Sequence, residues 1–562
     1  MRRIPIPDHF RPTGPLYLLI GALLTLALLV PRQPMPAASA DPGADQAGPL
    51  DFQVTFDAAL RSEPVTGRVY VALSREMPRE RTPIEQTGPT GVPLFGTSVE
   101  GLRPGEVGII DGDTFGHPLQ SLSDLPAGEY WVQAFMNVYT RFDRADGHTV
   151  WMHMDQWEGQ SWKRSPGNLY SDPVRMRLDP VASGTIRLVC DRVIPPVEMP
   201  EDTEQVKYLR FQSKILSEWW GHPIFLGAAV LLPKGYDEHP ETHYPVNYNQ
   251  GHFSLRAPGG FGRGGGFDDH WMGEEAPRFI YVTLQHPSPY YDDSYGVNSE
   301  NNGPYGDAIM EELIPAVEER FRVIREPWAR MLSGGSTGGW IALAHQVFYP
   351  DFYGGVFASC PDAVDFRYHQ IVDVYEDENA YWFDEGWMRI ERPNRRSPDG
   401  NIRSMMKDEN WYELVVGDRS RSGGQWDIWE ATYGPVGPDG YPARIWDKRT
   451  GEIDHEVAAY WRENYDLRHI LERDWATLGP KLVGKIHIYT GDMDSYYLNN
   501  AAYLMEDFLE GTKAPYYSGE VAYQARAPHC WGPRGAELLQ KMAIHIERHA
   551  PPEADLDSWR YP

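Results

Sequence analysis

Ser336 lies in Gly334-Gly335-Ser336-Thr337-Gly338, a G-x-S-x-G spacing within MLSGGSTGGW. A serine hydroxyl is a poor nucleophile until a neighbouring base takes its proton. It must also stand clear of the backbone to reach a carbonyl carbon. Glycines two residues before and after it remove Cβ atoms that would collide across a sharp strand-to-helix turn, and the Thr337 N–H can then face an oxyanion. Before the cluster, WARML is a short apolar run of strand type. After it, WIALAHQVFYP carries apolar residues at helical spacing and stops at Pro350. These flanks set the motif apart from a flexible Gly/Ser loop.

Such a nucleophile needs a base and an acid, and on a strand–turn–helix scaffold the acid comes next in the chain and the histidine last. His529, in YQARAPHCWG, follows the strand-like EVAYQ and sits in a loop bounded by proline and glycine, which singles it out among 18 histidines. The acid belongs just after the preceding strand, KIHIYTGD, where Asp492 and Asp494 are both available. One would orient the imidazole and stabilise its charged form. The other would cap the helix that follows. The second oxyanion donor should come from the loop NQGHFS, with Gly251, His252 and Phe253 as candidates; His252 could instead touch substrate. None of these roles calls for a metal or a cofactor.

The elements that must position these residues are of α/β type. From about residue 205 the runs KYLRFQSKILS, PIFLGAAVLLPKGY, YPVNYNQGH, RFIYVTLQ, the strand before Ser336, YGGVFASC and KIHIYTGD read as strands, with helical stretches such as GDAIMEELIPAVEERF between several of them. That alternation predicts a mostly parallel sheet covered on both faces. Residues 361–480 separate two of these strands and are rich in Trp, Tyr, Asp and Arg, which predicts a cap or lid insertion beside the site. GGFGRGGGF (259–267) lacks the lysine and the strand-to-helix setting of a phosphate loop, and reads as a mobile loop near the pocket.

Ahead of this region, residues 50–200 hold short strand-like runs separated by Gly, Pro, Asp and Ser, the pattern of an antiparallel β-sandwich domain. His148, His153 and Asp155 cluster there, and read as ordinary polar strand residues rather than as a metal site. Residues 41–49 and VIPPVEMPEDTE look like linkers. The first 40 residues combine Arg2, Arg3 and Arg11, the apolar run LYLLIGALLTLALLV and an Ala38-Ser39-Ala40 end, the layout of a cleaved signal peptide. The mature protein is therefore expected to be secreted or periplasmic, with the membrane met only during export. At 562 residues the chain is long enough for two or three domains, and its net charge of −28 argues against nucleic acid as a partner.

From about 205 to 550 the chain resembles the putative esterase family of α/β-hydrolases, which includes esterase D, feruloyl and acetylxylan esterases, enterobactin esterases and mycolyltransferases. The residues that carry the resemblance are LLPKGYDEHPETHYPVNYNQGH, GPYGDAIMEELIPAVEERFRV, SGGSTGGW and TGDMD. It implies an α/β-hydrolase fold behind the β-sandwich, with Ser336 as nucleophile, His529 as base and, through a G-x-x-D pattern starting at Gly491, Asp494 as acid. Two features depart from the family: Gln250-Gly251-His252 replaces its usual His-Gly, and the insertion after Cys360 is much longer. In this fold Cys360 and Cys530 both fall near the carboxyl ends of central strands, so a disulfide between them is a candidate. The expected activity is hydrolysis of a carboxylic ester, small or carbohydrate-linked, through an acyl-enzyme. A serine peptidase or an acyltransferase of the same fold is an alternative, as is an inactive glycan-binding protein.

Overall fold

The computed structural model describes residues 48–561; the signal segment expected at 1–40 lies outside them. At the centre is an eight-stranded sheet. Its strands are β1 (Val206–Ser213), β2 (Ile224–Leu231), β3 (Val246–Gln250), β4 (Ile280–Gln285), β5 (Arg330–Gly335), β6 (Gly355–Ser359), β7 (Ile486–Gly491) and β8 (Glu520–Gln524), in the order β1-β2-β4-β3-β5-β6-β7-β8. The leading pair runs antiparallel, and β2 is antiparallel to β4. From β4 onward every neighbour is parallel. Parallel strands covered on both faces need apolar side chains on both. IYVTLQ in β4 and GVFAS in β6 meet that need, and both are almost wholly buried.

Parallel order places the carboxyl ends of β3, β5, β6, β7 and β8 along one edge of the sheet. β5 turns at Ser336 straight into the helix Thr337–Phe348, which is buried along nearly its whole length. Its small and apolar residues (Gly338, Gly339, Ala342, Ala344) let it lie close on β5 and β6.

Between β6 and β7 the chain makes two small hairpins, Trp382–Glu391 and Pro393–Met405, and then the helices Met406–Val416, Gln425–Tyr433, His455–Tyr465 and Leu467–Leu482. Trp426, Trp429, Trp446 and Trp461 from this stretch join the main apolar core, so it is packed into the molecule.

Residues 48–200 form two further sheets and a small hairpin, Thr140–Asp143 with Thr149–Met152. In one, Asp51–Phe56 lies between Thr185–Cys190 and Gly108–Ile110; the other is built around Val65–Ser74, Leu94–Leu102 and Gly128–Val138. They face each other across a core of Phe52, Val54, Val69, Val71, Val132 and Leu188. One pairing differs from the all-antiparallel expectation: Asp51–Phe56 runs parallel to Thr185–Cys190, because the first and last long strands of this unit enter from the same end. Its outer face is not solvated. Tyr70, Phe135 and Trp162 pack against Val415 and Val416 of the insertion. Buried Arg68 donates to the Val415 carbonyl (2.7 Å) and the Leu414 carbonyl (3.1 Å), closing the buried C-terminus of helix Met406–Val416. The described residues accordingly form one compact body. No helix among the described residues is long and apolar enough to cross a membrane.

One of the tightest backbone approaches is at Gly338. A Cβ there would overlap the Gln250 carbonyl and lie 2.9 Å from the Gly251 Cα. A Cβ on Gly251 itself would meet nothing within 4 Å. Gly338→Ala is therefore expected to destabilise the protein by about 1–3 kcal/mol, the usual cost of overpacking, whereas Gly251→Ala should stay within about 0.5 kcal/mol. Equilibrium denaturant unfolding of the two variants checks the contrast; equal midpoints would mean that the turn yields.

Candidate active site

Ser336 occupies a strained backbone conformation, φ 58° and ψ −124°, between β5 and its helix. A non-glycine residue keeps such a conformation only where its surroundings enforce it. Here the Ser336 N–H donates to the Ser359 carbonyl (3.0 Å) and faces Cys360 Sγ (3.2 Å). Its carbonyl accepts from Gly339 (2.9 Å) and Trp340 (3.1 Å). A Cβ at Gly334 would lie 2.9 Å from the Gly338 Cα, which is why the residues two before and two after the serine are both glycine.

His529 follows β8, and its Nδ1 lies 2.7 Å from Asp494 Oδ2. Asp494 is fully buried; its other oxygen accepts from the N–H groups of Tyr496 (2.8 Å) and Leu498 (3.3 Å). Both oxygens are thus satisfied, and the carboxylate is aimed at the imidazole. Asp492 turns elsewhere and accepts from the backbone N–H of Arg526, tying the β7 loop to the one after β8. Of the two candidate acids the structure brings Asp494, not Asp492, to His529. The ring of Tyr496 meets His529 edge-on, 4.9 Å between centroids.

Cys360 and Cys530 are joined in a disulfide, with their Cα atoms 4.8 Å apart. The bond ties the residue after His529 to the residue after β6, whose sulfur also faces the Ser336 N–H. Cys190 is buried and unbonded.

Thr337, Gly251, His252 and Phe253 take different positions. Thr337 opens the helix, and its hydroxyl is buried against Tyr295 Oη (3.2 Å). Gly251 lies beside Gly338, so the loop after β3 runs against the first turn of that helix. His252 faces the cavity described below. Phe253 turns away and packs edge-on against Trp157, 5.1 Å between centroids. His252 Nδ1 lies 3.0 Å from Asp292 and 3.6 Å from Asp293. Burial disfavours the charged ring, but the hydrogen bond it donates to Asp292 and the charges of Asp292, Asp293 and Asp362 outweigh it and carry His252 up to about 9. Near neutral pH it is an imidazolium.

Asp362 was not visible as a site residue in the sequence. It sits just past β6, buried, with Ser336 Oγ donating to its Oδ1 at 3.2 Å. Its Oδ2 accepts from Tyr295 Oη (2.5 Å), Thr337 Oγ1 (3.3 Å) and Gln425 Nε2 (3.4 Å). Burial pushes this carboxyl above the usual range, while the Tyr295 hydrogen bond and the two imidazoles work the other way. Its partners come from segments 63 and 67 residues away, so no local pattern could have flagged the group.

Ser336, His529 and Asp362 open into one cavity of about 850 Å³. The insertion supplies Tyr412, Gln425 and Trp429 to its wall. The amino-terminal unit supplies Trp162, Lys163 and Arg164, although nothing in its sequence suggested a site. The loop bearing them is held from below by a buried polar cluster. His153 Nε2 pairs with Glu158 (2.9 Å), Ser165 Oγ donates to Glu158 (2.7 Å), and Asp155 accepts from the Trp157 and Gln160 N–H groups (2.8 and 2.7 Å). Burial and the Glu158 charge push Asp155 up to about 7. The glycine loop 259–267 is not among the cavity's lining residues; its Gly262 and Gly264 amides turn onto Asp268 (3.1 Å each).

Residues 226–389 match the family model described as Putative esterase. No curated protein matches the chain. Among solved structures the chain is similar to a ferulic acid esterase, with 16% identity, 61% of this chain and 98% of that one covered, and a TM-score of 0.34. It is similar to an S-formylglutathione hydrolase from Agrobacterium tumefaciens at 13% identity, over 61% of this chain and 95% of that one, with a TM-score of 0.32. A fluorophosphonate-binding serine hydrolase of Staphylococcus aureus is 12% identical over 61% of this chain and 98% of its own, with a TM-score of 0.35.

With Cys360 and Cys530 bonded and Cys190 alone, the unfolded, unreduced protein is expected to show one reactive thiol out of three. Three thiols under the same conditions would mean that the histidine loop is not covalently pinned. Reduction should release two more groups.

Proposed function

We propose that this protein is a serine hydrolase that cleaves a carboxylic ester through an acyl-enzyme, a reading supported by the match of residues 226–389 to the family model described as Putative esterase. The observation that carries the reading is the convergence in one cavity of a serine on a strained turn and a histidine held by a buried carboxylate.

Asp494 holds the Nδ1–H tautomer of His529, which leaves Nε2 to accept a proton. The Ser336 hydroxyl turns from Asp362 to that nitrogen by rotation about χ1, and Oγ attacks the carbonyl carbon. The Thr337 N–H and a backbone N–H of the loop 251–253 hold the oxyanion. His529 then returns the proton to the leaving oxygen as the C–O bond breaks, and water repeats the sequence on the acyl-enzyme. The scaffold is that of an α/β-hydrolase whose parallel sheet is preceded by a β-sandwich. The segment at 1–40 directs export, and the Cys360–Cys530 bond suits an oxidising compartment.

Ser336→Ala is expected to lower ester hydrolysis by about 10⁶, as loss of a triad nucleophile does in a well-dissected serine protease, and to abolish labelling by a fluorophosphonate probe. Residual turnover within tenfold of the parent would overturn the assignment. Asp494→Asn should lower kcat by about 10⁴ by leaving the wrong imidazole tautomer. Asp492→Asn, which loses only a loop contact, should stay within about tenfold. Steady-state kinetics on the two variants separates the roles, and a larger loss at Asp492 would reverse them.

A further inference from the structure

The Ser336 hydroxyl is the single donor to Asp362 Oδ1 among the described residues, at 3.2 Å. Asp362 Oδ2, by contrast, is crowded with donors from Tyr295, Thr337 and Gln425. Trp429 Nε1 fixes Tyr295 Oη in turn (2.5 Å), so the carboxyl group cannot swing away. This asymmetry matters once chemistry starts. When Ser336 attacks, its proton leaves for His529 and Oγ becomes an ester oxygen. Oδ1 then has no protein donor, in a group that is only 4% exposed. A buried acceptor without a donor is costly, and more so when it is charged. The same carboxylate also stands beside the carbon on which the oxyanion develops, and like charges at this range repel.

No Lys or Arg of the described residues forms an ion pair with Asp362. Lys163 and Arg164, the cations of the cavity wall, do not bond to it; Lys163 Nζ donates to the Thr87 carbonyl (2.9 Å) and Arg164 to that of Glu158 (3.5 Å). The imidazoles of His252 and His529 offset part of the Asp362 charge without hydrogen-bonding to Oδ1, so what would satisfy Oδ1 and add to that offset is a positively charged donor on the substrate, within a bond or two of the scissile carbonyl. A hydroxyl would meet only the first need. Tyr291, Trp429 and Tyr496 line the same cavity, and aromatic faces receive an ammonium group favourably.

Resting on the serine-hydrolase reading above, we propose that Asp362 binds a protonated amine on the acyl carbon next to the scissile carbonyl, and that the substrates are aminoacyl esters. The ammonium takes no part in bond making. Ser336 Oγ forms the acyl bond, the leaving oxygen takes the proton from His529, and the amine stays protonated on Asp362 until water releases the amino acid.

The test uses the mature protein and the p-nitrophenyl esters of L-alanine, L-lactic acid and propionic acid, which place an ammonium, a hydroxyl and a hydrogen at one position. Each kcat/KM is divided by the same ester's rate with hydroxide, which removes intrinsic reactivity. The alanine ester is expected to exceed the propionate ester by roughly 10- to 100-fold, the range for a hydrogen bond to a charged group, and to exceed the lactate ester as well. In Asp362→Asn the alanine-to-propionate ratio should fall to within about threefold of one. Being a ratio, it does not depend on how much of the variant folds, and the parent's own preference is decisive if none does. A parent that labels with fluorophosphonate and hydrolyses all three esters alike overturns the amine site and leaves the hydrolase standing. So does a lactate ester as good as the alanine ester, or a ratio unmoved in Asp362→Asn. A parent that neither labels nor turns over any of the three overturns both readings.

Discussion

The site depends on backbone meeting backbone at one point. The end of β3, the turn at Ser336 and the first turn of its helix come so close that neither Gly334 nor Gly338 has room for a Cβ. That contact holds Ser336 at φ 58° and sets the first turn of its helix against the loop after β3. Parallel strand order does the rest. β6 and β7 lie next in the sheet, so their carboxyl ends deliver Cys360, Asp362 and Asp494 to the same edge, and β8 brings His529. Side chains from segments almost 200 residues apart meet because the strands that carry them are neighbours.

The walls need separate support, because they come from segments outside the sheet. The helix bearing Gln425 and Trp429 is held at its N-terminus by Glu413, which accepts from the Trp426 and Asp427 N–H groups (3.0 Å each). Buried Lys448 bridges Glu413 (3.1 Å) and Asp427. Burial, set against the Lys448 charge, raises Glu413 to about 8. A buried cluster of this kind is a weak source of net stability, yet removing one partner typically costs about 3–5 kcal/mol. It therefore serves position: it keeps Gln425 and Trp429 on Asp362 and Tyr295. On the other side, Arg68 and Tyr70 anchor the amino-terminal unit to the C-terminal end of helix Met406–Val416. The insertion is thereby clamped between the two sheet systems and cannot act as a freely swinging lid.

Legibility in the sequence follows the range of the interactions. The turn at Ser336 is read from five consecutive residues because its constraint is local: two missing Cβ atoms, a strand before and a helix after. His529 is read from its loop and its place after the last strand. Asp492 and Asp494 could not be separated by composition, since the choice rests on which carboxylate meets the imidazole and which meets the Arg526 N–H. Asp362, Tyr295 and Gln425 left no signal, because each is an ordinary residue whose role exists only where three distant segments touch. The same holds for Trp162, Lys163 and Arg164. A β-rich unit with no motif of its own enters the cavity through one loop, held by His153, Asp155 and Glu158. His153 and Asp155 read as ordinary polar strand residues, and with Glu158 they form the buried base of that loop instead.

The two buried aspartates at the ends of β6 and β7 divide the work between them. Asp494 has both oxygens occupied, one by the imidazole and the other by backbone, which holds it in place. Asp362 is occupied on one oxygen by fixed protein donors and on the other by the nucleophile itself. In the resting molecule it therefore holds the Ser336 hydroxyl away from His529. A donor arriving on the substrate competes for that oxygen, and when it wins, the hydroxyl must find another acceptor, of which the free Nε2 of His529 is the one the triad needs. Binding of the amine and release of the nucleophile are then a single exchange of hydrogen bonds. On that proposal the serine is most reactive when a substrate that can neutralise Asp362 is already seated.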